Sequence, residues 1–276
     1  MSGKLVLVGT PIGNLSDFSP RAAEALSEAD FIAAEDTRVT MKLLNHCNIK
    51  KPFVSYYDHN KEGRGPELCA RMEAGETCAL VTDAGMPAIS DPGELLVAQC
   101  AERGIPVFVV PGPCAAVSAL AVSGLPTGRF AFEGFLSADK KSRRGHLEEL
   151  KDEHRTMIFY EAPHKLAATL ADLFAAFGDR RVSLARELTK IHEEVVRTTL
   201  GEAAKRYADG SARGEFVLVV EGAPKTAPAP KPEQDAVEIA RDYVAQGLSA
   251  SEATKRAAAE TGRRKNEIYR ELARKG

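Results

Sequence analysis

The chain has 276 residues, with 37 Lys+Arg against 39 Asp+Glu and a formal net charge of −2; that length accommodates two domains, and the balance of charge excludes a uniformly basic nucleic-acid binder. Five scattered cysteines (Cys47, Cys69, Cys78, Cys100 and Cys114) form no C-x-x-C pair, which argues against a zinc site or a disulfide framework. No apolar run reaches membrane-spanning length and the N-terminus reads as a strand start, not a signal peptide, so a cytoplasmic protein is expected.

In chain order, residues 5–8 form a short apolar strand that opens onto Gly9-Thr-Pro-Ile-Gly-Asn-Leu-Ser-Asp. This loop matches neither a Walker loop nor G-x-G-x-x-G; it lines a ligand or is a plain turn. Residues 20–29 read as a helix capped by Ser19. A strand at 31–34 ends in Glu35-Asp36-Thr37-Arg38, followed by a helix at 39–46. A strand at 52–57 leads to Asp58-His59-Asn60-Lys61, and 62–73 is helical.

The apolar run 78–81 then stops, and residues 80–93 read Leu-Val-Thr-Asp-Ala-Gly-Met-Pro-Ala-Ile-Ser-Asp-Pro-Gly. Two prolines and two glycines bar regular structure until helical patterning resumes at Glu94. An acidic side chain, Asp83, thus sits at the carboxyl end of a strand, where open α/β sheets bind ligands. The alternative is a structural strand-to-helix turn capped by Asp91. A fifth strand, 105–110, stops at Pro111-Gly112-Pro113-Cys114-Ala115-Ala116. Small side chains there let a flat ligand reach free helix N–H groups, or serve close helix packing.

The first half therefore alternates β and α and is mostly parallel. After Gly124 strands outnumber helices, with strands at 130–135, 156–160, 182–184, 195–200 and 215–220 and helices at 163–177 and 202–207. That pattern suggests a mixed, partly antiparallel sheet in a separate domain. The basic loop Asp139-Lys-Lys-Ser-Arg-Arg-Gly-His146 either contacts phosphates or begins a solvated helix. Residues 223–232 are a proline-rich linker. The tail reads as three helices, 233–245, one begun by a Ser249/Glu252 capping box and stopped at Gly262, and 264 to the end. Their spacing is compatible with a helix-turn-helix, and Arg263, Arg264 and Lys265 give the third a basic start, although Glu260, Glu267 and Glu271 leave partner docking open.

The strings Gly-Thr-Pro-Ile-Gly-Asn-Leu, Ala-Glu-Asp-Thr-Arg, Thr-Asp-Ala-Gly-Met-Pro-Ala-Ile-Ser-Asp-Pro-Gly and Val-Pro-Gly-Pro, in this order, resemble the ribosomal RNA small subunit methyltransferase I family of the tetrapyrrole-methylase (class III) group. The resemblance implies an α/β fold: domains at 1–116 and 117–222, the linker 223–232, and a helix-turn-helix-like module at 233–276. It implies 2′-O-methylation of a cytidine ribose in the decoding region of 16S rRNA, on RNA or the small ribosomal subunit. It also implies a homodimer, with S-adenosyl-L-methionine held between the α/β domains. Carried over by position, Asp83 and Met86 hold the methionine part of the cofactor, with Cys114 and Ala115 packing near it. Tyr160 and Glu215 fall at the adenosine, and Pro11 borders the transfer face.

Methyl transfer from a sulfonium to an oxygen is an in-line displacement that needs alignment and no metal. Asp36, Glu161 and Glu187 each end or follow a strand and are candidates to accept the hydroxyl proton. Arg38 and Arg186 would hold flanking phosphates, or all five make salt bridges at strand ends. Lys140, Lys141, Arg143 and Arg144, with Arg263, Arg264 and Lys265, supply the grip on an RNA whose target nucleotide unstacks into the cleft. The rival readings are a small-molecule methylase of tetrapyrrole type and a non-catalytic RNA-binding or assembly factor.

Overall fold

A computed structural model describes residues 3–224 and 235–274. Residues 1, 2, 225–234, 275 and 276, among them most of the proline-rich run, lie outside the described residues. The chain forms two compact bodies, 1–223 and 224–276.

The first body holds two five-stranded sheets. In the first, β1 (Lys4–Val8), β2 (Phe31–Ala34), β3 (Phe53–Ser55), β4 (Thr77–Val81) and β5 (Val107–Val110) lie in the order β3-β2-β4-β1-β5. Every pairing is parallel. Both faces are covered, so the strands read as continuous apolar runs whose alternate residues enter different cores. Leu5, Phe31, Cys78 and Leu80 pack on one side, and Val6, Ile32, Ala79 and Val81 on the other. The connecting helices are α1 (Pro20–Glu28), α2 (Thr37–His46), α3 (Lys61–Glu73) and α4 (Glu94–Glu102). The Ser19 hydroxyl caps α1 by accepting from Ala22 N at 3.1 Å.

In the second sheet, β6 (Phe130–Phe135), β7 (Thr156–Glu161), β8 (Arg181–Arg186), β9 (Glu194–Thr199) and β10 (Phe216–Val220) run in the order β6-β7-β10-β8-β9. Only β6 and β7 pair in parallel, as the excess of strands over helices predicts. Phe216, Leu218 and Val220 face one core, with α6 (Lys140–Leu150), α7 (Pro163–Phe177) and α8 (Leu200–Arg206) on that side. Val217 and Val219 face the other, against Ala116, Ala119 and Leu120 of α5 (Ala115–Ser123). The boundary expected at 116/117 lies within this helix, which begins at the edge of the first sheet and packs on the second.

The basic stretch opens the helix α6, the second of its two expected readings, because the Asp139 carboxylate accepts from Ser142 N at 2.8 Å and starts the turn. One sequence expectation is corrected here. Leu200, expected to end a strand, opens α8 behind Thr199 as its cap. The tail body contains α9 (Ala236–Ala245), α10 (Ala250–Thr261) and α11 (Lys265–Arg274), closed around Ala236, Val237, Ala240, Ala257 and Ile268. Ser249 caps α10 and Gly262 ends it in the left-handed conformation, as the capping box and the glycine predict.

Candidate active site

Three loops leave the carboxyl edge of the first sheet side by side, after β1, β4 and β5. Main-chain atoms bring them together, and the Thr10 and Met86 side chains add further contacts. Thr10 and Gly85 form an isolated antiparallel bridge, with N–H to O distances of 2.9 and 3.1 Å. The Thr10 hydroxyl donates to Thr82 O at 3.1 Å. Gly9 and Gly112 lie back to back, and a Cβ on either would fall within 3 Å of the other's backbone. Met86 Sδ accepts from Gly112 N at 3.2 Å.

Between this platform and the second sheet lies a cavity of about 510 Å³. Ile12, Gly85 and Met86 come from the first two loops, Cys114 and Ala115 from the third, and Phe135, Tyr160, Leu188 and Val217 from the second sheet and its connections. Size and mostly apolar lining suit a ligand as large as a nucleoside. The Tyr160 ring meets Phe132 and Phe135 edge-on, at centroid distances of 5.1 and 5.5 Å. Its hydroxyl accepts from Ala116 N at 3.1 Å, satisfying a first-turn amide of α5. Burial pushes the Tyr160 phenol up to about 12. Cys114, the residue before α5, makes no side-chain cap.

Of the residues expected at the site, Met86, Cys114, Ala115, Tyr160, Glu161 and Glu215 line the cavity. Pro11, Asp83, Asp36 and Glu187 are not among the lining residues, although Ile12, Ala84 and Leu188 beside them are. The Asp83 carboxylate accepts from Asp36 N at 3.1 Å, and Asp83 N donates to Glu35 at 3.4 Å. Burial raises Asp83 and Glu35, each further raised by its acidic neighbours. Asp36 caps α2 and pairs with Arg38 at 2.6 Å, and those hydrogen bonds hold it down to about 2. Glu187 accepts from Glu215 N and from Lys190, both at 2.9 Å, and these bonds lower it.

Glu161 is buried, and its oxygens accept from Ala162 N at 2.8 Å and from the Thr169 hydroxyl at 2.5 Å. Its charge sits at the start of α7, where the helix dipole favours it. Glu161→Ala would strand both donors and is expected to lower stability by about 3 kcal/mol, and Glu161→Gln by about 1 kcal/mol. Urea unfolding measures both; equal losses would contradict this account of the two bonds.

Among the cations, Lys140, Lys141 and Arg144 project from α6 into solvent with no ion pair among the described residues. Arg143 is held by Asp172 at 2.7 Å. Arg186 donates to Arg213 O at 2.6 Å and faces Glu194 at 3.6 Å. In the tail body Arg263 pairs with Glu271 at 2.6 Å and Lys265 donates to Ser251 at 3.1 Å, while Arg264 is exposed. No cluster of His, Cys, Asp and Glu among the described residues could hold a metal ion.

The family profile described as Tetrapyrrole (Corrin/Porphyrin) Methylases matches residues 4–204. A ribosomal RNA small subunit methyltransferase I from Synechocystis sp. is 49% identical over 269 residues, spanning 97% of this chain and 96% of that protein. This chain belongs to the ribosomal RNA small subunit methyltransferase I family. A methyltransferase I from Halalkalibacterium halodurans is likewise 49% identical over 273 residues, 97% of this chain and 93% of the relative. In fold, the chain is similar to uroporphyrin-III C-methyltransferase from Thermus thermophilus complexed with S-adenyl homocysteine, with a TM-score of 0.55 and 20% identity over 79% of this chain and 97% of that one.

In this member of the methyltransferase I family, sequence reasoning misplaced one lining residue. Asp91, expected as a possible helix cap, caps nothing: Gly93, at φ 145°, precedes α4, and no side chain closes that end. Instead Asp91 lines the cavity beside Ser90 and Ile89. The missed signal was its place in the same proline-rich loop as Met86. Phe135 and Leu188 also escaped notice, because they reach the cavity only through the tertiary approach of the second sheet.

Proposed function

We propose that the protein transfers the methyl group of S-adenosyl-L-methionine to the 2′-hydroxyl of a cytidine ribose in the decoding region of 16S rRNA. The cavity at the meeting of the two sheets carries this reading, in a chain whose relatives at 49% identity are named for ribosomal RNA methylation. Its residues fit the donor. Gly85, at φ 88°, leaves a backbone face open to close approach, and Ile12 and Leu188 give apolar cover. When bound, the donor supplies an activated methyl carbon and a positive charge that disappears as the methyl leaves.

Met86, Cys114 and Ala115 border the methionine part, with Asp83 and Pro11 just behind the lining residues. Tyr160 and Glu215 serve the adenosine. Cys114 acts through its backbone, since a thiol is a weak donor. The apolar walls exclude water, which strengthens the electrostatic contribution to transfer. Lys140, Lys141 and Arg144 on α6 offer phosphate contacts, and the tail body offers Arg264. Arg38, Arg143, Arg186, Arg263 and Lys265 reach RNA only by exchanging their present partners. A homodimer is part of the reading, supported by Phe108 and Val109 exposed on the edge strand β5. Among the described residues no helix is long and apolar enough to cross a membrane, and a cytoplasmic location is part of the reading, supported by the ribosomal substrate for which the relatives are named.

Labelled methyl transfer to small-subunit RNA and to assembled particles tests the reading. A digest should yield 2′-O-methylcytidine; label on a base nitrogen, or none on either substrate, would refute it. Deleting residues 233–276 is expected to weaken RNA binding by about 10-fold or more at moderate salt. Calorimetric affinity for S-adenosylhomocysteine should stay within about 3-fold of the full chain, because the described lining residues all belong to the first body.

A further inference from the structure

The loop that carries Met86 concentrates backbone strain. Ala88 and Ser90, neither of them glycine, stand at φ 68° and 64°, between Gly85 at 88° and Gly93 at 145°. Left-handed residues with a Cβ are costly and persist where the surroundings impose them, often at functional sites. Here they bracket a turn that brings Asp91 to the cavity wall beside Cys114, Phe135 and Tyr160.

Three carboxylates line that wall, and only one is uncommitted. Glu161 is occupied by Ala162 N and Thr169, and Glu215 by Lys190 at 2.9 Å. Asp91 is half-buried and has neither a hydrogen bond nor an ion pair among the described residues. The charged groups that act on it are Glu35 after β2, Asp58 after β3 and Asp83 after β4, and the Tyr160 phenol of β7 lines the same cavity and feels its charge. All are acids. The cavity's imidazole, His164, opens α7 on the exposed rim. Burial, then repulsion from these neighbours, pushes the Asp91 carboxyl up to about 7. A carboxylate in that range is a far better proton acceptor near neutral pH than an ordinary one.

We propose that Asp91 is a catalytic residue that takes the proton from the acceptor hydroxyl during methyl transfer. The inference rests on the methyl-transfer reading above. As the hydroxyl oxygen bonds to the methyl carbon, the carbon–sulfur bond breaks and its electron pair stays on sulfur, giving a neutral thioether. The displaced proton passes to Asp91 and leaves to solvent when the product departs.

The test combines titration with kinetics. In protein labelled at aspartate carboxyl carbons, the resonance lost in Asp91→Asn should titrate near pH 7. Turnover of the wild type, saturated with donor and RNA, should rise with pH to a plateau above that point. Asp91→Asn should lower kcat by about 100-fold or more and abolish the acid limb, with S-adenosylhomocysteine affinity within about 3-fold of wild type. Asp91→Glu, which keeps a carboxylate, should retain the limb at reduced kcat. Near-normal turnover of Asp91→Asn would overturn the inference, as would a large loss of S-adenosylhomocysteine affinity with kcat intact, the mark of a donor-binding group. An Asp91 resonance titrating in the ordinary carboxylate range would overturn it whichever acceptor the enzyme uses. Absence of wild-type transfer to ribosomal RNA would instead refute the functional reading.

Discussion

Gly112→Ala is expected to lower stability by about 2–3 kcal/mol and to weaken S-adenosylhomocysteine binding by at least about 10-fold. The added Cβ would lie 2.8 Å from Gly9 Cα, 2.9 Å from Gly9 C and 3.0 Å from Gly9 O. These are main-chain atoms of a loop pinned at both ends. Gly9 N donates to Val110 O at 3.1 Å, and Thr10 is bridged to Gly85. Neither neighbour can rotate away as a flexible side chain would, so the loops after β1 and β5 must part. Met86 moves with them, because its sulfur accepts the Gly112 amide. Gly9→Ala should behave alike, since its Cβ would meet Gly112 Cα at 2.6 Å and Met86 Sδ at 2.7 Å. Gly128→Ala, with open space around the position, should stay within about 0.5 kcal/mol of wild type. A Gly112→Ala protein that unfolds and binds like the wild type would show that the loops do not meet in this way.

Replacing Tyr160 separates two roles of one residue. Tyr160→Phe removes only the acceptor of the Ala116 amide, an expected loss of about 1–2 kcal/mol with the ring still in place. Tyr160→Ala also removes the wall that Phe132 and Phe135 support and opens the cavity to solvent, an expected loss of about 3–5 kcal/mol. Affinity for S-adenosylhomocysteine should fall by about 100-fold in Tyr160→Ala and by less than about 10-fold in Tyr160→Phe. Equal affinities in the two variants would remove the aromatic face from the binding account.

Much of this arrangement is legible in the residues themselves, because it follows from patterns only a few positions long. Runs such as Cys78-Ala-Leu-Val81 are apolar on both faces, as a covered parallel sheet demands, and Ser19 and Ser249 announce their helices by capping chemistry, whereas the Thr199 cap was hidden in an apparent strand. Met86, Cys114 and Ala115 were placed by the family resemblance, on loops that leave the carboxyl edge of the first sheet after β4 and β5. Asp91 misled because an Asp-Pro-Gly before a helix carries a cap's signature, and only the left-handed turns at Ala88 and Ser90 show the side chain diverted. Asp36, Glu161 and Glu187 were chosen for strand-end position alone. The pairs Asp36–Arg38 and Glu187–Lys190 are short-range and follow the alternative reading of salt bridges at strand ends, whereas the bond from Thr169 to Glu161 comes from the second turn of the following helix.

The bridge between Thr10 and Gly85 has a consequence for how this architecture diversifies. A clasp built from peptide groups is indifferent to most of the side chains around it, so mutations scattered along the rim leave the donor's seat undisturbed. Substitutions on the opposite, mixed sheet can then accumulate while the parallel half stays mechanically the same. Relatedness in such enzymes should therefore persist longest in glycine positions and loop lengths, and fade first in the residues that greet the molecule being modified.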